Sequence, residues 1–167
     1  MGKTYVEPSR EIEVYDECDV LVVGGGAAGH SAAVAAARAG VEKVIILERY
    51  GYFGGDVTGG YVLMVPALSW RKYSTVRGLQ EEWFTRLDKN QPDAYIAPSF
   101  DEIGSTDPLL LYRWSSIHGC TLPRSSTYDR VVRAPYFEPN QLKIELDGMV
   151  REQDNIKTLF HCWGSKP

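Results

Sequence analysis

Three glycines at a fixed spacing predict a phosphate-binding turn. Gly24, Gly26 and Gly29 follow a short apolar run, residues 20–23, and open an alanine-rich segment. The G-x-G-x-x-G spacing permits a tight turn, a close approach of backbone to pyrophosphate, and close packing of helix on strand. The start of such a helix offers free N–H groups and a partial positive charge to a phosphate. The residues expected to contact the cofactor here are Gly24, Gly26, Ala27, Ala28 and Gly29.

An acidic residue stands where dinucleotide-binding folds hold a ribose. The second apolar run, residues 44–47, ends in Glu48, which lies 19 residues after Gly29. An acid at the end of the second strand accepts hydrogen bonds from ribose hydroxyls. Strand, glycine turn, helix, strand and acid follow one another in the order that the fingerprint requires. The sequence therefore predicts an adenine dinucleotide site, and Glu48 suits the ribose of either FAD or NAD(H).

A second glycine-rich segment, residues 51–60, contains five glycines. This density is tolerated where backbone must turn sharply or come close to a ligand. We interpret the segment as a loop and a short helix start that wrap FAD, because simple NAD dehydrogenases do not need it. The Thr58 hydroxyl either bonds phosphate or flavin, or caps a helix. The further cofactor contacts expected are Arg49, Gly54, Gly55, Asp56, Thr58 and Gly59.

These segments resemble a known family. Residues 24–29 with their alanine-rich helix, residues 48–60, and residues 137–161 are similar to FAD-dependent oxidoreductases. The likeness is to the group related to fumarate reductase flavoproteins and the flavin subunit of heterodisulfide reductase, with a glutathione-reductase-type FAD domain. The resemblance implies an α/β Rossmann-like domain, a parallel sheet with flanking helices. It also implies FAD as cofactor and hydride or electron transfer with a small organic substrate.

The resemblance covers only the first part of such a flavoprotein. In the family, a strand like the one predicted at residues 156–163 leads into further β-structure and a substrate domain. We therefore expect the chain to be an N-terminal subunit or fragment. A second polypeptide would complete the flavin domain and supply the substrate domain. The alternative is a non-catalytic nucleotide-binding subunit, structural or regulatory, that holds FAD or NAD.

Three regions position these residues. Residues 1–16 read as an N-terminal arm, residues 17–65 and 137–167 as the FAD-binding part, and residues 66–136 as an insertion that faces substrate or partner. Apolar residues at helical spacing predict helices over 75–89 and 139–152. In the first of these, Trp83 is expected in the core.

No catalytic residue can be assigned with these patterns, and the catalytic residues of the resembling family lie mostly beyond this segment. The proline-rich stretch 91–136 has no regular period, and it contains Tyr112 and His118, the only proton-transfer candidates. His30 follows the glycine turn directly. It either lies near the pyrophosphate or flavin, or packs sideways at the helix start, and we favour packing because backbone N–H groups hold pyrophosphate.

Composition excludes several classes of function. The net charge of −4 argues against a nucleic-acid partner held through its phosphates, and no apolar run is long enough for a membrane span. Three cysteines without a C-x-x-C motif predict neither a disulfide framework nor a metal site. Together with an N-terminus that has no apolar signal region, they indicate a cytoplasmic protein.

Overall fold

The computed structural model describes residues 2–6, 8–9, 11–65, 68–70, 73–117, 120–121 and 130–164. Its centre is a three-stranded parallel sheet. The elements in chain order are β1 (Val20–Val23), α1 (Ala27–Arg38), β2 (Val44–Glu48), β3 (Ser69–Trp70), β4 (Tyr73–Ser74), α2 (Leu79–Asn90), β5 (Tyr95–Ile96), α3 (Pro108–Ser115), β6 (Tyr136–Phe137), α4 (Pro139–Arg151) and β7 (Ile156–Phe160), with short 3-10 helices at Gly55–Val57 and Pro92–Ala94.

The β1-α1-β2 unit forms as the sequence predicts. β1 pairs with β2 from Val20 opposite Val44 to Val23 opposite Leu47, and β2 pairs with β7 from Val44 to Glu48. β2 therefore lies in the middle of the sheet, which explains its unbroken apolar run. The α/β class and the Rossmann-like parallel sheet with flanking helices are confirmed.

Helices α1, α2 and α4 enclose the main core. The small side chains of Ala33 and Ala37 let α1 lie close to the sheet, and both are buried. From the other helices the core receives Trp83, as predicted, together with Leu142 and Leu146, each at most 4% exposed. Packing of this kind stabilises the helices more than their intrinsic propensity does.

A chain of ion pairs ties the same three helices together at their surface. Arg38 of α1 donates two hydrogen bonds to Glu82 of α2, at 2.6 and 2.9 Å. Arg86 bonds both Glu82, at 2.9 Å, and Glu152 after α4, at 2.5 and 2.7 Å. The Arg38 and Arg86 bonds hold the pKa of Glu82 at about 2, against burial, which raises it.

The insertion differs in part from its prediction. The helix predicted from residue 75 begins at Leu79, because Gly78 has φ +77° and interrupts the helical backbone. The stretch expected to be irregular contains α3, which starts at Pro108 after Asp107, whose side chain accepts a hydrogen bond of 2.8 Å from the Leu109 N–H. Aspartate at the N-cap followed by proline at the first helical position is a start signal that the sequence carries.

Asp16, at the end of the N-terminal arm, forms ion pairs with residues of the sheet and its edge. Its carboxylate forms ion pairs with Lys43, before β2, and with Lys157 of β7, the latter at 2.6 Å. These two bonds, with Lys157 the stronger cause, hold the pKa of Asp16 well below its usual range. The domain boundaries at residues 16, 65 and 136 stay predictions. None of the helices described is long and apolar enough to cross a membrane.

Candidate functional site: a dinucleotide cradle

The glycine turn between β1 and α1 has the geometry that its spacing predicts. Gly24 has φ +100°, a conformation that favours glycine, and its N–H donates to the Leu47 carbonyl at 2.7 Å. A β-carbon on Gly29 would overlap the Gly24 carbonyl, so this position is closed by the protein itself. A β-carbon on Gly26 would meet no protein atom within 4 Å. The space over Gly26 is therefore open to a ligand.

The N-terminus of α1 is left open to an anion. Gly26 is its N-cap, no side chain caps the first turn, and the turn contains no acidic residue. The N–H groups at Ala27, Ala28 and Gly29 are among those that an α-helix cannot satisfy internally. Together with the helix dipole, they form a place suited to a pyrophosphate.

Glu48 joins the end of β2 to this turn. It is only 6% exposed, and its Oε2 accepts a hydrogen bond from the Gly25 N–H at 2.6 Å. Its Oε1 accepts a second one from the Tyr50 N–H at 2.8 Å. A carboxylate has about four acceptor positions, so two remain for ribose hydroxyls.

A cleft of about 240 Å³ opens beside Glu48 at the carboxyl ends of the strands. Its lining residues are Val23, Gly24, Leu47, Glu48, Arg49, Cys162, Trp163 and Gly164. The Arg49 guanidinium lies 5.3 Å from the Trp163 ring centroid and 4.6 Å from that of Tyr50. Trp163 is 72% exposed, so a flat adenine has an aromatic surface available to it. Sequence reasoning missed Trp163, because no short motif links it to Glu48.

The second glycine segment packs directly on the first. The Gly54 N–H donates to the Gly25 carbonyl at 2.9 Å, and Gly26 and Gly54 form an isolated parallel bridge. A β-carbon on Gly55 would lie 3.2 Å from the Gly26 Cα. Both Gly54 and Gly55 have positive φ, at +102° and +57°. The two glycine clusters thus form one continuous backbone surface around the open space at Gly26.

The other residues of this segment have different surroundings. Asp56 is exposed in the 3-10 helix that begins at Gly55, and a β-carbon on Gly59 would overlap the Tyr52 hydroxyl. Thr58 is fully buried, and its hydroxyl donates to the Phe53 carbonyl at 2.6 Å. It follows the 3-10 helix and is not an N-cap. Its hydrogen bond holds the loop, which leaves the prediction that it contacts phosphate or flavin without support from this geometry.

His30 packs sideways into the core, as favoured from the sequence. It is 0% exposed, and its ring makes edge contacts with Phe53 and Trp83, at centroid distances of 5.7 and 5.4 Å. Its Nε2 lies 3.0 Å from the Leu146 carbonyl and donates to it, since a carbonyl only accepts. Nδ1 is buried without a partner. Burial lowers the pKa of His30, and the Leu146 bond opposes this shift.

Of the two proton-transfer candidates, the structure describes only Tyr112. Tyr112 lies on α3 with 82% of its surface exposed. His118 lies outside the described residues. Cys120 is buried, its thiol donates to the Ala134 carbonyl at 3.3 Å, and burial raises its pKa to about 11. Within the described ranges, no group of three or more metal-ligating side chains is present.

Comparison with known proteins identifies the type of site. A family model described as FAD dependent oxidoreductase matches residues 19–166. A 4-oxocyclohex-2-ene-1-carboxylate 5-dehydrogenase from Sinomonas cyclohexanicum is 40% identical over 94 residues, 54% of this chain and 15% of that protein. A urocanate reductase from Eggerthella lenta is 47% identical over 51 residues, 30% of this chain and 8% of that protein.

Among solved structures, an L-amino acid deaminase from Proteus vulgaris aligns with a TM-score of 0.49 at 15% identity, covering 96% of this chain and 43% of that one. The matched part is thus well under a fifth of the two curated relatives and less than half of the solved chain. The family match confirms FAD as the cofactor.

Proposed function

Because the chain belongs to the FAD-dependent oxidoreductase family, we propose that it binds the ADP half of FAD within a larger enzyme. That enzyme passes a hydride or an electron pair between the flavin and a small organic substrate. The observation that carries this proposal is the arrangement of Glu48 and Gly26 around one opening at the ends of β1 and β2. Bound FAD supplies the redox chemistry, and the protein positions it.

The dinucleotide cradle consists of residues 24–29, Glu48, Arg49, Gly54, Gly55 and Trp163. Each part of it has a role in this proposal. The uncapped first turn of α1 and the bare backbone at Gly26 hold the pyrophosphate. The free acceptor positions of Glu48 hold the ribose hydroxyls, and Arg49 with Trp163 flanks the adenine. Gly54 and Gly55 support the turn from the far side.

The exposed face of β1 opposite α1 supports a completing polypeptide. Leu21 and Val23 of β1 lie on the face opposite α1, and they are 55% and 62% exposed. Parallel sheets are normally covered on both faces, because their strands are apolar on both sides. We propose that further polypeptide covers this face, completes the flavin domain and supplies the substrate domain. The groups that bind the substrate and those that catalyse the reaction then lie largely outside residues 1–167.

The proposed substrate class follows the relatives only in outline. Two of them are named for the acids that they act on, urocanate and 4-oxocyclohex-2-ene-1-carboxylate. Both are small organic molecules, which supports a small organic substrate for this enzyme.

Cys18, Cys120 and Cys162 are free thiols, which supports a reducing, cytoplasmic location.

A spectroscopic experiment distinguishes this function from a non-catalytic nucleotide-binding subunit. The native complex is isolated through a tag on this chain, its partner chains and cofactor are identified by native mass spectrometry, and its visible spectrum is followed anaerobically with small organic acids and alcohols. We expect a bound flavin whose absorption near 450 nm is bleached by at least one compound, or restored by one after chemical reduction. A complex that holds FAD and exchanges electrons with none of them indicates the structural role, and one that holds NAD excludes the proposal.

A further inference from the structure

A second cavity lies in the insertion, away from the dinucleotide cradle. It occupies about 640 Å³ between α2, β5, the loop of residues 97–102, and α3, and it is called the α2–α3 cavity below. This volume is within the range of sites that hold small molecules. The residues that line this cavity are distinct from those of the cleft beside Glu48.

A buried arginine lines this cavity. Arg133 is 6% exposed, and its backbone is fixed by the Ser69 hydroxyl, which accepts from the Arg133 N–H at 2.8 Å. Among the described residues, no carboxylate lies within ion-pairing distance of its guanidinium. Burying a charge without a counter-charge is costly, so such a group is usually paired. An anion can reach Arg133 through this cavity.

The contacts of Arg133 orient it toward an acceptor. Its Nη2 donates to the Tyr95 hydroxyl at 3.0 Å, and its guanidinium carbon lies 4.1 Å from the Phe100 ring centroid. A guanidinium has five N–H groups, so one bond to Tyr95 leaves others for a ligand. Burial raises the pKa of Tyr95, against the lowering effect of Arg133, so its hydroxyl keeps a proton to donate. Arginine and tyrosine together offer convergent donors.

The other charged residues that line the cavity form no ion pair with Arg133. Arg113 is paired with Glu102 at 3.1 Å, and its side chain is 65% exposed. Asp88 lines the cavity from the exposed side of α2. The rest of the wall consists of aliphatic and small residues together with the aromatic rings of Phe84, Phe100 and Trp114, of which Phe84 and Trp114 are buried. A ligand with an anionic end and a flat apolar body matches this distribution.

We propose that the α2–α3 cavity binds a small organic acid, with the carboxylate on Arg133 and Tyr95 and the apolar body against Phe84, Phe100 and Trp114. Arginine suits this role because the planar N–H donors of its guanidinium can form two parallel hydrogen bonds with a carboxylate, which a lysine cannot do. The site selects against the neutral amide of the same acid, because an amide nitrogen presents N–H groups to a cationic donor.

The test compares an acid with its amide on the native complex, isolated through a tag on this chain. Binding of 3-phenylpropionate and 3-phenylpropionamide is measured by calorimetry in low-chloride buffer at pH 7.5. We expect the acid to bind at least ten-fold more tightly, the preference to vanish in Arg133→Met, and to persist in Arg113→Met. Arg113→Met is the matched control, because Arg113 lines the same cavity but is already paired with the Glu102 carboxylate. Equal affinities in the parent, no binding of either compound, or loss of the preference in both variants would each overturn the proposal.

Two further measurements keep the result interpretable. If Arg133→Met does not fold, Tyr95→Phe removes one donor and retains the ring, and it should weaken the acid several-fold without affecting the amide. An unchanged preference in Tyr95→Phe then contradicts the assignment. FAD titration is run in parallel on the parent and on Gly26→Val. Loss of FAD binding with intact acid binding concerns only the cradle, and the reverse concerns only the α2–α3 cavity.

Discussion

The Glu48 carboxylate accepts a hydrogen bond of 2.6 Å from the Gly25 N–H, and this bond joins the end of β2 to the glycine turn after β1. The acid therefore has two functions that the sequence alone does not separate. We propose that it accepts hydrogen bonds from ribose hydroxyls. It also fixes the turn at Gly25, next to Gly26, which faces the open space. Substitutions at Glu48 consequently affect both the ligand and the turn.

Replacing Glu48 with alanine should weaken FAD binding about ten-fold or more. The change removes charge-assisted hydrogen bonds to ribose, each worth about 1.5–3 kcal/mol. The measurement is the FAD dissociation constant from quenching of flavin fluorescence, in the same assembly as the parent. Glu42→Ala is the matched control, because Glu42 is an exposed acid just before the opposite end of β2. If Glu48→Ala retains FAD as tightly as Glu42→Ala does, the ribose assignment fails.

Valine at Gly26 should give a folded protein without cofactor. No protein atom lies within 4 Å of a β-carbon built there, and the residue has φ −62°, which any L-residue adopts. The added methyl groups would instead occupy the space of the pyrophosphate. The check is flavin content against far-ultraviolet circular dichroism, with the parent as reference. A Gly26→Val protein with full flavin occupancy would contradict the position of the phosphates.

The same change at Gly29 should act on folding and not only on the ligand. A β-carbon at Gly29 overlaps the Gly24 carbonyl and would push α1 away from the turn. We expect Gly29→Val to be insoluble or to unfold at a much lower temperature than Gly26→Val. Comparable melting temperatures for the two variants would show that the third glycine is not needed for helix packing.

Much of the cradle was predictable because local chemistry determines it. The turn from Gly24 to Gly29 and the acid at Glu48 lie within one β-α-β unit, and their spacing follows from its geometry. The roles of Trp163 and Arg133 were harder to predict. Trp163 lies beside Arg49 and Arg133 beside Tyr95, and both partners are distant in sequence. Only tertiary packing brings such pairs together.

Local patterns also misplaced some element boundaries. Val76 continues the apolar spacing of α2, yet it precedes the helix, because Gly78 with its positive φ ends the possible extension. α3 was missed since its apolar residues are continuous instead of periodic, and only Asp107 with Pro108 marked its start. Leu109 of this helix is apolar but 78% exposed, so the apolar residues of α3 do not mark its buried face.

His30 should make the protein less stable as the pH falls below about 6.5, its ordinary pKa. Burial holds the folded-state pKa below that value, so the unfolded chain takes up a proton that the folded chain does not. The stabilising effect of neutral His30 is therefore complete above pH 6.5 and lost on acidification, by at most about 1.4 kcal/mol per pH unit. Arg38 strengthens the shift and Glu82 opposes it.

The measurement is the melting temperature of the parent and of His30→Leu between pH 7.5 and 5. Leucine removes the titrating ring and only one hydrogen bond, that to the Leu146 carbonyl. The parent should lose more stability than the variant across this range. Parallel curves would mean that His30 does not titrate differently in the folded and unfolded states.

The exposed face of β1 opposite α1 should be the surface on which the completing polypeptide packs. Leu21 lies on this face with 55% exposure, and apolar area of this kind is normally covered on both sides of a parallel sheet. Expressed alone, the 167-residue chain should be insoluble or free of flavin, and co-expression with the completing polypeptide should restore a yellow complex. Leu21→Lys should prevent the complex, because a charged side chain would be buried in the interface.

Ile144→Lys is the matched control for this substitution. Ile144 is exposed to a similar degree, 60%, but it lies on α4, which packs against α1 and α2. It should leave the yellow complex intact, as judged by co-purification and by the ratio of flavin to protein absorbance. A soluble, monodisperse monomer of 18.7 kDa with full flavin occupancy would contradict the proposed completion. Equal loss of the complex in Leu21→Lys and Ile144→Lys would contradict the assignment of this face.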